Sequence, residues 1–500
     1  MVDPRTLVSV GVALAVGVSA VGHGLGFMDG FNTTPLPELL SLAGAARSAP
    51  SGSPTQGKVV VFVVDGLRAD FADHLGLPPM ARCTLESVVP SFSRPAYVAL
   101  STGVPPWASG VHTNDHAGAA RLPSIWETAR RAGHRTHLVT DGTDWWVDLF
   151  PEGFDTVEVV PKARFAAHWA ARPLPEPGSL TLVHIVAADD AAHDFGTGAD
   201  YVAAISAAGA HIRSWLDALD PTRDTAFITA DHGHIARGGH GGPEPETQAV
   251  PLFAFGAGAL PLEVGHGDWC GSLIDLPVAI AARLDIVPPI AGLGALPPVV
   301  RPLSAGFLAQ LTTQSVAVHD RLRGTHDPLD HGRVRPASAK RVIVAAFAWL
   351  ALAALVAGLV VGPRRRAIAS TLIAPLAFVA AYFLVEPTLS LSAVWLRGPW
   401  SIHVALIASA AAVLSCVVVF RRHAPAEALS CVAVGAWLPV VLAIAAHGST
   451  SAGPVLGEPH AAFAIVAADL GAGVTTAVGL AASVIARVVD RRRAGAKVWA

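Results

Sequence analysis

Three apolar runs in this chain end on acidic or imidazole side chains. That coincidence restricts what it can fold into more than any other feature. "KVVVFVVDG" (58–66) closes on Asp65, "SLTLVHIVAADD" (179–190) on Asp189 and Asp190, and "DTAFITADHGH" (224–234) on Asp231, His232 and His234. Uninterrupted β-branched runs read as strands buried on both faces, the pattern of a parallel sheet. Between them, "PSIWETARRAGHRTHLVTDG" (123–142) reads as a helix, a glycine stop and a strand, and "YVAAISAAGAHIRSWLDAL" (201–219) as an amphipathic helix. "AVPLFAFGAG" (249–258) adds one more strand. The expected architecture is an α/β/α sandwich with a mostly parallel sheet. Ligands in such sheets bind beyond the carboxyl ends of the strands, where these acids and histidines lie.

Composition divides the 500 residues near position 340. Carboxylates and histidines concentrate in 28–340, while the remainder is mostly Ala, Val, Leu, Ile and Gly. Val342–Gly362 is long enough to span a bilayer, and similar runs occur at 367–385, 402–420, 427–447 and 461–486. Leu7–Phe27 is a further apolar run, a signal peptide or a retained anchor, and either one exports the domain C-terminal to it. Arg364–Arg366, Arg421–Arg422 and the Arg491–Arg493 tail fall on one side if the chain crosses five times after Arg341. The positive-inside rule makes that side cytoplasmic. The expected layout is therefore an N-terminal segment (1–27), an extracytoplasmic domain (28–300), a polar linker (301–341), a five-helix transmembrane domain (342–489) and a basic cytoplasmic tail (490–500). Asp469 lies within the last span, where an ionisable group is costly and points to a role. Trp395 and Trp400 fit an interfacial aromatic belt.

An exported domain permits a disulfide between Cys83 and Cys270, although sequence does not say how far apart they lie. The formal net charge is −3, and the soluble part has no basic patch, so nucleic-acid binding has no support.

Each acidic or imidazole position has an ordinary explanation when taken alone. Asp65-Gly66 is a common turn, Asp189 and His193 are four apart by a frequent accident, and "DHGHIARGGHGG" reads as a solvated loop. Jointly, three strand ends of one sheet deliver carboxylates and imidazoles to one edge. These are the donors expected for zinc or a similar divalent ion. Two such ions side by side suit an in-line phosphoryl displacement, with a nearby hydroxyl activated as nucleophile. Ser93, in "SFSRPAYVALSTG" (91–103), is the candidate. Pro95 favours a helix start there, with Ser93 or Arg94 at its cap and backbone N–H groups open to a phosphate.

The set "VVDG", "PSFSRPAYVALSTG", "AADDAAHDFG", "ADHGH" and "GGHGGPEPETQAVPLFAFG" resembles the alkaline phosphatase superfamily over most of 58–300. Within it, the set looks closest to the type I phosphodiesterase/nucleotide pyrophosphatase branch and to the glycosylphosphatidylinositol (GPI) ethanolamine phosphate transferases. "SRPAYVALSTG" and "IDLPVAIAARLDIVPPIAGLGALP" (274–297) are more similar to the transferases. Tyr97, which ends the Ser93–Tyr97 stretch, departs from the sulfatase signature. The resemblance implies an alkaline-phosphatase-like fold with a C-terminal transmembrane bundle, and two divalent ions, zinc being the ion expected. Asp65, Ser93, Asp231 and His232 would hold one, and Asp189, His193 and His240 the other. Ser93 would be the nucleophile and Asn114 a phosphate-contacting donor. His234 stands where relatives carry a small apolar residue and is expected to take no ligand role. Ala192 replaces a usual glycine, and spacing favours Asp189 over Asp190. The activity implied is transfer of phosphoethanolamine from a phospholipid to a glycan or glycolipid hydroxyl through a phosphoserine. A hydrolase of the same superfamily, or a non-catalytic membrane protein, are the alternatives.

Overall fold

The computed structural model describes residues 35–46, 56–171, 175–260 and 269–323, with the single residues 11 and 392. The apolar runs Leu7–Phe27 and 342–486, with Asp469, lie outside the described residues save for those two positions. Among the described residues no helix is long and apolar enough to cross a membrane.

The run Val59–Val64 forms strand β1, with every side chain buried. It lies inside an eight-stranded sheet ordered β4-β3-β5-β1-β6-β7-β2-β8. The other strands are β2 (Ala81–Glu86), β3 (Arg135–Asp141), β4 (Thr156–Val160), β5 (Ser179–Ile185), β6 (Thr225–Thr229), β7 (Ala249–Gly256) and β8 (Trp269–Ser272). Strands β4, β3, β5, β1 and β6 run parallel. Strand β7 is antiparallel to both β6 and β2, and β8 is parallel to β2. A mostly parallel sheet is thus present, with one reversed strand. The register sets Val63 level with His184 on β5 and Thr229 on β6, so the chain leaves all three strands at one edge.

Helices cover the sheet. They include α1 (Pro37–Ala46), α2 (Ser93–Thr102), α3 (Ile125–Arg131), α4 (Trp145–Leu149), α5 (Ala187–Phe195), α6 (Ala199–Leu216), α7 (Leu276–Leu284) and α8 (Phe307–Arg323). Helix α3 starts on a reciprocal capping box: Ser124 Oγ accepts from Glu127 N at 3.1 Å, and Glu127 Oε2 accepts from Ser124 N at 2.8 Å.

The structure differs from the sequence reading in three respects. "SLTLVHIVAADD" does not stay a strand to its end. Strand β5 stops at Ile185, where Asp141 accepts the Val186 N–H at 2.5 Å, and the alanine-rich remainder coils into α5. Within the stretch read as a polar linker, Phe307–Arg323 is helical, with Phe307, Val318 and Leu322 buried. Val318 and Leu322 share an apolar cluster with Leu39 of α1, which buries that face. Strands β2, β4 and β8 carry no clear pattern in the sequence; Cys83 on β2 and Cys270 on β8 are joined by a disulfide, their Cα atoms 5.9 Å apart.

Candidate metal centre

Asp65 leaves the end of β1, and its N–H continues the ladder to Ile185 O at 2.9 Å. Asp231 and His232 follow β6, while Asp189 and His193 stand one turn apart on α5. His240 comes from the glycine-rich loop after β6 and Ser93 from the first turn of α2. Four elements therefore bring the expected residues to one edge of the sheet. All are buried except His193, which is half-buried.

The donor atoms form overlapping sets. Asp65, Asp231 and His232 make one, Asp189, His193 and His240 a second, and Asp189, His232 and His234 a third; within each set the donor atoms lie within 4.8 Å of one another. His232 Nε2 lies 3.5 Å from Asp65 Oδ1, 3.3 Å from Asp231 Oδ2 and 3.2 Å from Ser93 Oγ. Asp189 Oδ1 sits 3.0 Å from His234 Nε2, 3.3 Å from His193 Nε2 and 3.8 Å from His240 Nε2.

Proton placement tests whether cations fit. A backbone carbonyl can only accept. His232 Nδ1 meets Gly233 O at 3.1 Å, His234 Nδ1 meets Gly238 O at 2.5 Å, and His240 Nδ1 meets Ser91 O at 2.9 Å. Each Nδ1 therefore carries an N–H, and the His232 and His240 rings turn an Nε2 lone pair inward. His240 Nε2 faces His193 Nε2 at 3.0 Å. Asp65 Oδ1 and Asp231 Oδ2 are buried with no hydrogen-bond partner among the described residues. Buried acceptors that face one another are unfavourable unless a cation lies among them. Nitrogen and carboxylate donors of this kind suit zinc or a similar divalent ion.

The electrostatics agree. Burial, then the nearby His193, pushes His240 down to about 3, and burial with His240 holds His232 well below the usual imidazole range. Both rings are neutral at pH 7. Burial and the Asp65 carboxylate push Asp231 well up, as expected of acids crowded without a counter-charge. Burial also acts to raise Asp189, but the neighbouring His193 and His234 outweigh it and hold the group low.

Ser93 does not cap its helix. Phe92 is the N-cap, and Ser93 is the first helical residue, with Oγ turned to His232. Asn114 does the tethering instead: its Oδ1 accepts the Arg94 N–H at 2.9 Å, which fixes the amide orientation and leaves its NH2 for other partners. Arg94 itself points away, donating to Asp148 Oδ2 at 3.0 Å and His116 O at 2.7 Å, with its guanidinium over the Trp145 ring. Asp190 turns outward to Lys162. His234, expected to take no ligand role, is fully buried against Asp189 rather than at the surface. Gly66 makes room for it, with φ of +72° and a position where a Cβ would lie 2.5 Å from His234 Nε2.

Sequence reading also passes over His184 and Tyr97 as contributors. Asp65 Oδ2 lies 2.5 Å from Tyr97 Oη and 2.9 Å from His184 Nε2. His184 sits inside an apolar strand, where a lone histidine carries no signal until the neighbouring strands are known. A cleft of about 180 Å³ opens beside the cluster, lined by Phe92, Thr113, Asn114, Asp115, His193 and His240.

The chain is 24% identical over 276 residues to GPI ethanolamine phosphate transferase 2 of Yarrowia lipolytica, covering 49% of this chain and 31% of that protein. It thus spans about a third of the length of the curated relative it matches. Similar solved structures include murine ectonucleotide pyrophosphatase/phosphodiesterase 5 (14% identity, TM-score 0.37, 51% of this chain and 99% of that one). They also include the C-terminal periplasmic domain of EcEptC from Escherichia coli (12% identity, TM-score 0.37, 51% and 92%). Residues 170–260 match the model of the metalloenzyme superfamily. That match falls on the segment that carries Asp189, His193, Asp231, His232 and His240, so this segment is similar to the metalloenzyme superfamily.

Proposed function

We propose that this protein is a membrane-bound phosphotransferase that moves a phospho-alcohol group, phosphoethanolamine from a phospholipid, to a glycan or glycolipid hydroxyl. The observation that carries the reading is Ser93 Oγ at the first turn of α2, 3.2 Å from His232 Nε2 and beside buried acceptors that fit divalent cations. Asp65, Ser93, Asp231 and His232 would hold one ion, and Asp189, His193 and His240 a second, zinc by the chemistry of the donors. When bound, the ions supply charge neutralisation for a phosphate and lower the pKa of the serine hydroxyl.

The chain's own groups do the rest. Ser93 Oγ forms a bond to phosphorus while the bond from phosphorus to the donor's lipid alcohol breaks, and that alcohol leaves with a proton. An acceptor hydroxyl then attacks the same phosphorus, loses its proton and releases Ser93. The NH2 of Asn114 and the Ser93 N–H are the donors available to a phosphate oxygen, since Asn114 takes the Arg94 N–H, Pro95 has none and the Ala96 N–H bonds Phe92 O. The cleft is sized for a small head group, and among the described residues no Lys or Arg lines it. The relative from Yarrowia lipolytica is itself named as an ethanolamine phosphate transferase, which supports this donor class. The Cys83–Cys270 disulfide supports an oxidising, extracytoplasmic location for the domain. The apolar runs before residue 28 and after Arg341 support membrane attachment.

The test is to offer the full-length protein a phospholipid labelled in its phosphoethanolamine group. His240→Asn, altered to stall turnover, should accumulate label on Ser93. Wild type should pass label to an added glycolipid. Release of all label to water would make the protein a hydrolase. No label on Ser93, with divalent ions bound, would overturn the reading.

A further inference from the structure

We propose that Tyr97 and His184 are positioning residues that lock Asp65 in a one-sided pose and tie the Ser93 helix to it. The inference rests on the metal-dependent reading above. A carboxylate oxygen can only accept, so the single Tyr97 O–H proton goes to Asp65 Oδ2, 2.5 Å away. His184 Nε2 then faces two acceptors, Asp65 Oδ2 at 2.9 Å and the Tyr97 oxygen at 2.9 Å. It must carry the N–H. On the far side of the ring Nδ1 lies 3.1 Å from Thr140 Oγ1, a hydroxyl that can donate or accept. These hydrogen bonds link all four groups.

This arrangement has two consequences. Asp65 Oδ2 is saturated from inside the fold, and Oδ1 is the oxygen left facing His232. The carboxylate is thus held to offer one defined oxygen to an ion. Second, Tyr97 lies four residues after Ser93, on the same face of α2. Its bond to Asp65 fixes the serine-bearing helix against the end of β1. The Tyr97 ring is itself held by stacking on Trp146, with centroids 4.1 Å apart and planes 16° from parallel. Tyr97 and His184 touch no substrate; they act through Asp65 and Ser93. Groups that orient metal ligands in this way typically change metal affinity about 10–100-fold when removed.

The experiment measures Zn²⁺ affinity of the full-length protein by competition with a chelator. Asp189→Asn leaves only the Asp65 set complete. Adding Tyr97→Phe, which keeps the stacked ring, should weaken the remaining Zn²⁺ about 10–100-fold. Tyr97→Phe in an Asp65→Asn background should leave the other ion within about twofold, since that site does not touch Tyr97. His184→Gln, whose amide can still donate, should retain more affinity than His184→Leu. Unchanged affinity in the Asp189→Asn background would overturn the proposal, as would equal loss at both sites, which marks general loosening. Absence of Zn²⁺ binding by wild type would overturn this inference and the metal-dependent function together. Normal wild-type binding with a silent Tyr97→Phe would remove this inference alone.

Discussion

Burial sets the behaviour of the individual side chains around the centre. Among the described residues Ser93 is the hydroxyl placed against His232, so Ser93→Ala should lower transfer on the order of 10⁴-fold while the protein stays folded, read by lipid-to-glycolipid label transfer. Ser91 cannot substitute, because its Oγ donates to Gly242 O at 2.8 Å and also receives the Gly241 N–H. Asp141 gives a pH test. Burial lifts its carboxyl to about 6 from an ordinary 3.8. The fold therefore favours the protonated form: its stabilisation is complete below about pH 3.8 and lost as the pH rises through about 6. Asn would keep an oxygen for the Val186 N–H without the charge. Asp141→Asn should thus stabilise the protein at pH 8 by about 1–3 kcal/mol, with the gain vanishing near pH 4, as read by denaturant unfolding at both pH values. A larger gain at low pH would refute the sign.

At the scale of elements, the centre depends on how α5 meets the loop after β6. Gly238 has φ of +98°, and a Cβ there would lie 1.8 Å from Ala192 O. No side chain fits without moving the loop off the helix. Gly238 O also holds the His234 ring, and the loop carries His240. Gly238→Ala should therefore lower the affinity for the ion expected at Asp189, His193 and His240 by at least about tenfold, checked by chelator competition. The capping box of α3 offers a contrast. Ser124→Ala should cost about 1 kcal/mol of stability and leave metal affinity unchanged. Strands β1, β5 and β6 were legible because apolar residues dominate them, as expected where every side chain is buried. Strands β4 and β8 were not, since Thr156–Val160 is mostly exposed and Trp269–Ser272 is short. Both lie at the sheet's edges, where one-sided burial leaves little pattern.

For the described domain as a whole, the Cys83–Cys270 link closes a long loop across two neighbouring strands. Replacing both cysteines with serine should cost about 2–4 kcal/mol, measured by unfolding with and without reductant. The sequence by itself determined the sheet's centre and which acidic and imidazole groups gather at its edge. Asp65, Asp189, Asp231, His232 and His240 were readable because strand ends and a glycine-rich loop have local signatures, and Ser93 because a proline marks the start of its helix. Only the tertiary structure decided the orientation of these groups. The Nδ1 atoms of His232, His234 and His240 are tied to carbonyls of their own loop or, for His240, to Ser91, and this turns the His232 and His240 lone pairs inward. His184 and Tyr97 gain meaning only because β5 and α2 bring residues 119 and 32 positions from Asp65 to the same carboxylate. Composition and spacing record which groups are present along the chain. Which lone pair faces which proton is settled by packing between distant segments, where a buried acceptor must find a donor or a cation.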